Sequence, residues 1–185
     1  MKAGVLALQG DFREHCRALA SAGATPVEIR TAAQLADVDC LVIPGGESTT
    51  ISKLARAYEL VEPVRARAAA GMPVFGTCAG MIVLAARVEG GEPLFGLMDI
   101  TVRRNAYGRQ VESFEADVEV RGIDHPVRGV FIRAPWVEDV GPGVEVLAEH
   151  EGRPVVLEQG GIVVASFHPE LIGETALHEY LLRKV

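Results

Sequence analysis

The sequence predicts an α/β fold with a mostly parallel central sheet and an antiparallel extension in its C-terminal half. Three observations lead there. Up to residue 86, short apolar runs alternate with helical segments, the signature of strands joined by crossover helices. Those apolar runs are nearly continuous, as expected of strands covered on both faces. Beyond residue 99 the helices give way to short strand candidates separated by Gly, Pro or Asp turns. Residues 1–185 read as one domain, without repeat, linker or low-complexity segment.

Taken in order, residues 3–8 form the first strand, ended by Gln9 and Gly10. Asp11 is placed to cap a helix over 11–22, where Phe12, Cys16, Leu19 and Ala20 recur at helical spacing and Gly23 stops the run. Residues 26–30 read as a second strand, 32–36 as a helical turn, and 40–43 as a third strand ending at Pro44. Then comes PGGESTT (44–50), a strand followed by two glycines and by Ser and Thr suited to helix capping. Its backbone N–H groups can face an anion or a developing oxyanion, although an ordinary strand-to-helix turn has the same composition. Helical segments over 50–58 and 60–70 follow, with Pro63 in a first turn.

Residues 73–84 carry the densest signal. Pro73, Val74 and Phe75 lead into GTCAG (76–80) and then into a helix-forming run from Met81 to Ala86. A strand, a tight turn and a helix push the central side chain out at the carboxyl edge of the sheet, the geometry of a nucleophile elbow. Here that side chain is the Cys78 thiol, and unpaired N–H groups at the helix start favour its thiolate. A small buried Cys in a Gly-rich turn is the competing reading. In the second half, strands are expected over 100–104, 114–120, 129–134, 144–149, 155–158 and 162–167, with a last helix over 174–182.

Composition narrows the function. The chain has 185 residues, 49% of them hydrophobic, enough to bury a core without staples. A formal charge of -7, with Lys and Arg scattered, argues against nucleic-acid binding. Three cysteines (Cys16, Cys40, Cys78) without a C-x-x-C pair argue against disulfides and thiolate metal sites, and fit a reducing cytoplasm. No cofactor or metal is called for. Neither a signal segment nor a membrane span is evident.

A nucleophilic thiol needs a base and a group to orient it. Of the five histidines, His15 and His178 fit solvated helix positions, His125 a polar turn, and His150 a strand end among Glu149 and Glu151. His168 differs: it follows the apolar run 162–167 and precedes Pro169 and Glu170. Residues two apart in extended chain project to the same side, about 6.5 Å apart, so Glu170 can reach the His168 ring. Elbow, His-x-Glu and glycine loop together are the parts acyl transfer requires.

At these residues the sequence resembles the class I, or triad, glutamine amidotransferases. The strings LQG (8–10), PGGESTT (44–50), GTCAG (76–80), RNAYGRQ (104–110), SFEA (113–116), FIRAP (131–135) and SFHPEL (166–171) narrow the resemblance to glutaminase subunits of pyridoxal 5'-phosphate synthase. The resemblance implies a flavodoxin-like three-layer αβα sandwich. It implies that Cys78 attacks the carboxamide carbon of L-glutamine, that His168 passes a proton to departing ammonia, and that Glu170 orients His168. The substrate-binding positions it implies are Gly46, Glu47, Ser48, Arg104, Ile132 and Arg133. Its oxyanion hole would use the N–H groups of Gly46 and Ala79, with Gln9 nearby. The implied partner is a pyridoxal 5'-phosphate synthase subunit that receives the ammonia. A stand-alone thiol hydrolase of γ-glutamyl peptides is the alternative, against which the glycine loop and RNAYGRQ speak.

Overall fold

The computed structural model describes residues 1–104 and 113–185. The central sheet takes β1 (Lys2–Leu6), β2 (Thr25–Ile29), β3 (Cys40–Ile43), β4 (Val74–Thr77), β10 (Glu145–His150), β11 (Arg153–Gln159) and β12 (Ile162–Ala165), in the order β10-β11-β12-β4-β3-β1-β2. From β12 to β2 every pairing is parallel, while β11 and β10 add antiparallel strands at one edge. A second sheet joins β5 (Ala85–Glu89), β6 (Met98–Arg103) and β9 (Trp136–Val140), and a third pairs β7 (Phe114–Val118) with β8 (Val127–Phe131).

Strict alternation along the central strands divides the interior into two cores. Leu41 and Ile43 of β3, Val74 of β4 and Val164 of β12 point into one, with Leu35 of α2 (Ala32–Ala36), Ile51 of α3 (Ser48–Ala57), Val64 of α4 (Val61–Ala69) and Met81 of α5 (Ala79–Leu84). Cys40, Val42, Phe75, Val163 and Ala165 point into the other, with Leu19 of α1 (Phe12–Ser21) and Leu177 and Leu181 of α6 (Ala176–Leu182). Both sides of each strand are thus apolar, the reason these segments read as unbroken hydrophobic runs. Helices on both faces of the sheet give the three layers.

Two departures from the sequence reading matter. The helix expected to run to Ala86 ends at Leu84, and Ala85 turns to extended backbone so that β5 can pair with β6. More consequentially, β12 does not belong to the antiparallel extension: it lies parallel to β4, with Ala165 beside Thr77. Its four residues are all apolar because it is an interior strand. Strand β9 has no counterpart in the sequence reading, since its mixed polar sequence carries no clean alternation.

Candidate active site

Parallel register of β4 and β12 brings their carboxyl ends side by side, and the backbone N–H of Cys78 donates to Ala165 at 2.8 Å. Cys78 sits between β4 and α5 with φ 47° and ψ −101°, a strained conformation for a residue with a Cβ. The two flanking glycines are needed for space: a Cβ on Gly80 would lie 2.2 Å from the Ile43 carbonyl oxygen, and one on Gly76 would lie 2.6 Å from Leu84 Cδ1. The close approach of α5 to the sheet therefore requires both glycines, while the strain falls on the Cys. That is the strand, tight turn and helix the sequence predicts at this position.

Past β12 the chain makes one bridge to β8, in which His168 N–H donates to the Val130 carbonyl at 2.9 Å. This fixes the His168 backbone at the rim. Its ring lines the same cleft as the Cys78 thiol, which lies 3.9 Å from the Ile132 carbonyl oxygen. Nδ1 lies 2.8 Å from Glu170 Oε1, and Glu170 begins a 3-10 turn over Glu170–Ile172. Burial works against a charge on His168, yet bonding to Cys78 and to the Glu170 carboxylate outweighs it and holds the imidazole well above its ordinary pKa. Burial likewise disfavours the Glu170 carboxylate, but His15 and His168 keep it far below the usual range. The pair is built to stay charged.

The PGGESTT loop lies against this histidine. A Cβ on Gly45 would come within 2.2 Å of His168 Cε1, so only glycine lets the ring stand where it does. Gly46 follows at φ 149°, and the Glu47 N–H donates to Gln9 Oε1 at 2.7 Å. Gln9 thereby pins the loop. Glu47 caps α3: its carboxylate accepts from the Thr50 N–H at 2.8 Å and the Thr49 N–H at 3.3 Å. Partial burial opposes its charge, but bonds from the Thr49 hydroxyl, the Thr50 N–H and hydroxyl and the Thr49 N–H win and pull Glu47 down to about 2.

A cleft of about 400 Å³ opens over Cys78 and His168. Gln9, Gly46, Glu47, Ser48, Arg104, Ile132 and Arg133 line it, with Asp11, Ile82 and Leu171. Every substrate position implied by the resemblance faces this one space. Ala79 is not in the wall; it is the first residue of α5, directly after Cys78. Arg104 reaches across to Glu47 Oε1 at 3.3 Å. Its neighbour Arg103 is engaged elsewhere, with Glu89, Glu138 and the Trp136 ring. Arg133 takes a left-handed φ of 47° at the cleft wall. Of RNAYGRQ, residues 105–110 fall outside the described residues.

Three positions depart from the sequence reading. His15 and His178 are not solvated: both are fully buried and bonded to each other, Nδ1 to Nε2, at 2.8 Å. Position 15 lies on the inward stripe of α1 with Phe12, Cys16 and Leu19, a signal present in the sequence and masked by the charged residues beside it. Asp11 does not cap α1 with its side chain; its carboxylate turns to His168, with Oδ2 at 3.4 Å from Nδ1. Asp11, His168 and Glu170 offer atoms close enough together to hold a metal ion, but His168 Nδ1 is already shared between the two carboxylates.

The comparisons with known proteins agree with this geometry. The family described as the SNO glutamine amidotransferase family matches residues 5–185. The chain is 58% identical over 193 residues to "Pyridoxal 5'-phosphate synthase subunit PdxT" of Acidothermus cellulolyticus, covering 100% of this chain and 93% of that protein. It is 59% identical over 186 residues to the protein of the same name from Frankia casuarinae, covering 98% and 94%. A solved structure described as a glutamine amidotransferase superposes with a TM-score of 0.94 at 50% identity, covering 98% of this chain and 97% of that one. PurLQS from Thermotoga maritima shares the fold at a TM-score of 0.75 and 17% identity, covering 99% and 95%. With nearly every residue matched, end to end, the chain belongs to the SNO glutamine amidotransferase family.

Proposed function

We propose that the cleft hydrolyses L-glutamine to L-glutamate and ammonia, and that the ammonia is passed to a pyridoxal 5'-phosphate synthase subunit. One observation carries the reading: a strained Cys78 and a His168–Glu170 pair meet at adjoining strand ends, beneath a cleft that presents Arg104, Arg133 and Glu47. An amino-acid substrate brings a carboxylate and an ammonium, for which guanidinium groups and an acidic group are suitable partners.

In this mechanism Cys78 gives its thiol proton to His168 and its Sγ attacks the carboxamide carbon, and the resulting oxyanion is held by the N–H groups of Gly46 and Ala79. Gln9 supports that loop through its bond to Glu47. Among the described residues the Gly46 N–H makes no bond to a protein acceptor, so it is available. His168 then gives a proton to the nitrogen as the C–N bond breaks, leaving ammonia and a γ-glutamyl thioester. Water, deprotonated by His168, attacks the thioester, and glutamate leaves with the thiol restored. Glu170 keeps Nδ1 bonded so that Nε2 faces the reaction. No resident cofactor or metal enters these steps.

We propose a cytoplasmic setting. All three cysteines are free, which suits a reducing compartment, and no helix among the described residues is long and apolar enough to cross a membrane.

The test is glutamate release from glutamine, with and without the synthase subunit, by the wild type and Cys78→Ala. Release that the partner stimulates and the variant abolishes is expected. Unchanged release by Cys78→Ala would remove the thiol from the mechanism.

A further inference from the structure

Behind the cleft, a row of buried polar groups continues where the Cys78, His168 and Glu170 arrangement ends. The Glu170 side chain is fully buried, and a lone carboxylate there would be costly unless bonded; its contacts gather on Oε1, and Oε2 has no hydrogen-bond partner among the described residues. On the cleft side, Oε1 meets His168. On the far side, the same atom lies 3.3 Å from His15 Nε2 and 3.5 Å from Thr77 Oγ1. His15 in turn meets His178, while Phe75 stands edge-on to both rings and closes them from water.

Proton accounting orders the row. An ionised Glu170 only accepts, so His15 Nε2 carries the hydrogen directed at it, while His15 Nδ1 is bonded to His178 Nε2 at 2.8 Å. Burial pushes His178 down to about 3, which keeps it neutral. Thr77 Oγ1 accepts the Gly45 N–H at 3.1 Å and lies 3.0 Å from His15 Nε2. One ring therefore touches both the carboxylate behind His168 and the hydroxyl that holds the glycine loop. Helices α1 and α6, neither of which contributes a residue to the cleft wall, supply the two histidines.

We propose that His15, held by His178, is a positioning residue for glutamine hydrolysis: it fixes Glu170 from behind and, through Thr77, ties Gly45 to the same anchor. This rests on reading Cys78, His168 and Glu170 as the triad. Neither histidine lines the cleft, so their loss should lower kcat and leave glutamine KM nearly unchanged.

The experiment measures kcat and KM for glutamine, with the synthase subunit present, and melting temperature for each variant. His15→Leu and His15→Phe remove the donor while filling the volume; His15→Gln keeps a donor near the Nε2 position. The donorless variants should lose roughly 10- to 100-fold in kcat, and His15→Gln should regain most of it. A donorless variant with wild-type kcat, or a His15→Gln as impaired as His15→Leu, would overturn the proposal. His178→Phe leaves His15 in place and removes its holder, so it supplies an independent reading should position 15 not tolerate change. Lower kcat at unchanged KM is expected there, and wild-type kcat counts against the proposal. Glu170→Gln separates the two levels: full activity in it removes the triad reading itself, whereas its inactivity beside a fully active donorless His15 variant removes only the role of His15.

Discussion

A handful of atoms decide how Cys78 and His168 stand to one another. Holding a non-glycine residue at the φ and ψ of Cys78 costs about 1–3 kcal/mol, which the packed elements on either side must supply. His168 is set by a different device, the missing Cβ of Gly45. In Gly45→Ala the ring must move, and a displacement near 1 Å at a reacting group costs roughly 10²-fold in rate. We therefore expect kcat for glutamine to fall by about that factor, and the melting temperature to fall as well because the clash is with a buried ring; steady-state kinetics beside a thermal melt would check it. Glu47→Ala should destabilise the protein by about 1 kcal/mol through loss of the α3 cap. Because the folded-state pKa is depressed, the stability Glu47 contributes is present above its ordinary value near 4.5 and is lost as pH falls toward about 2. Urea denaturation of wild type and variant should accordingly differ near neutrality and converge at the acid end. Arg104 likewise owes its place to its surroundings. Nothing intrinsic separates it from Arg103, and the choice is made by Glu89, Glu138 and Trp136, which engage one of the two.

At the scale of elements, the informative unit is the pair of strands β4 and β12. Each ends in chemistry, and parallel pairing is what brings the two ends to one edge. An antiparallel β12 would have carried its own carboxyl end, with His168, away from Cys78. Helix α5 is pressed so closely on β3 that Gly80 has no room for a methyl group. Gly80→Ala should therefore lift α5 and cost about 1–3 kcal/mol by overpacking, and because Cys78 precedes that helix, activity should fall with stability. Chemical denaturation and glutamate release measured on one preparation would test the coupling. A stability loss with full activity would show that the elbow does not depend on α5.

The molecule as a whole places its least soluble polar groups between the sheet and α1 and α6. His178 is the clearest case, since burial lowers it from 6.5 to about 3. Between those values the unfolded chain binds a proton that the folded chain does not, so stability rises with pH across that window and is lost as pH falls through it. Below about 3 this group adds no further change. His178→Leu should show a shallower dependence over the same interval, read from denaturation midpoints at a series of pH values; an unchanged slope would assign the acid sensitivity elsewhere.

Local and periodic features are legible in the chain itself. Unbroken apolar runs mark strands covered on both sides, and GTCAG between a strand and a helix marks a thiol at the carboxyl edge of the sheet, because each depends on neighbours within a few residues. His168 and Glu170 are legible as neighbours two positions apart, although a 3-10 turn starting at Glu170, and not extended chain, brings the carboxylate to the ring. The sequence strings also name the cleft residues, through their resemblance to a family. Only the tertiary structure decides that β12 lies beside β4, that Arg104 faces the cleft, that Asp11 turns to His168, and that His15 and His178 are buried. Each of these depends on which distant segment lies alongside, and a side chain's polarity alone does not say whether water or a partner satisfies it.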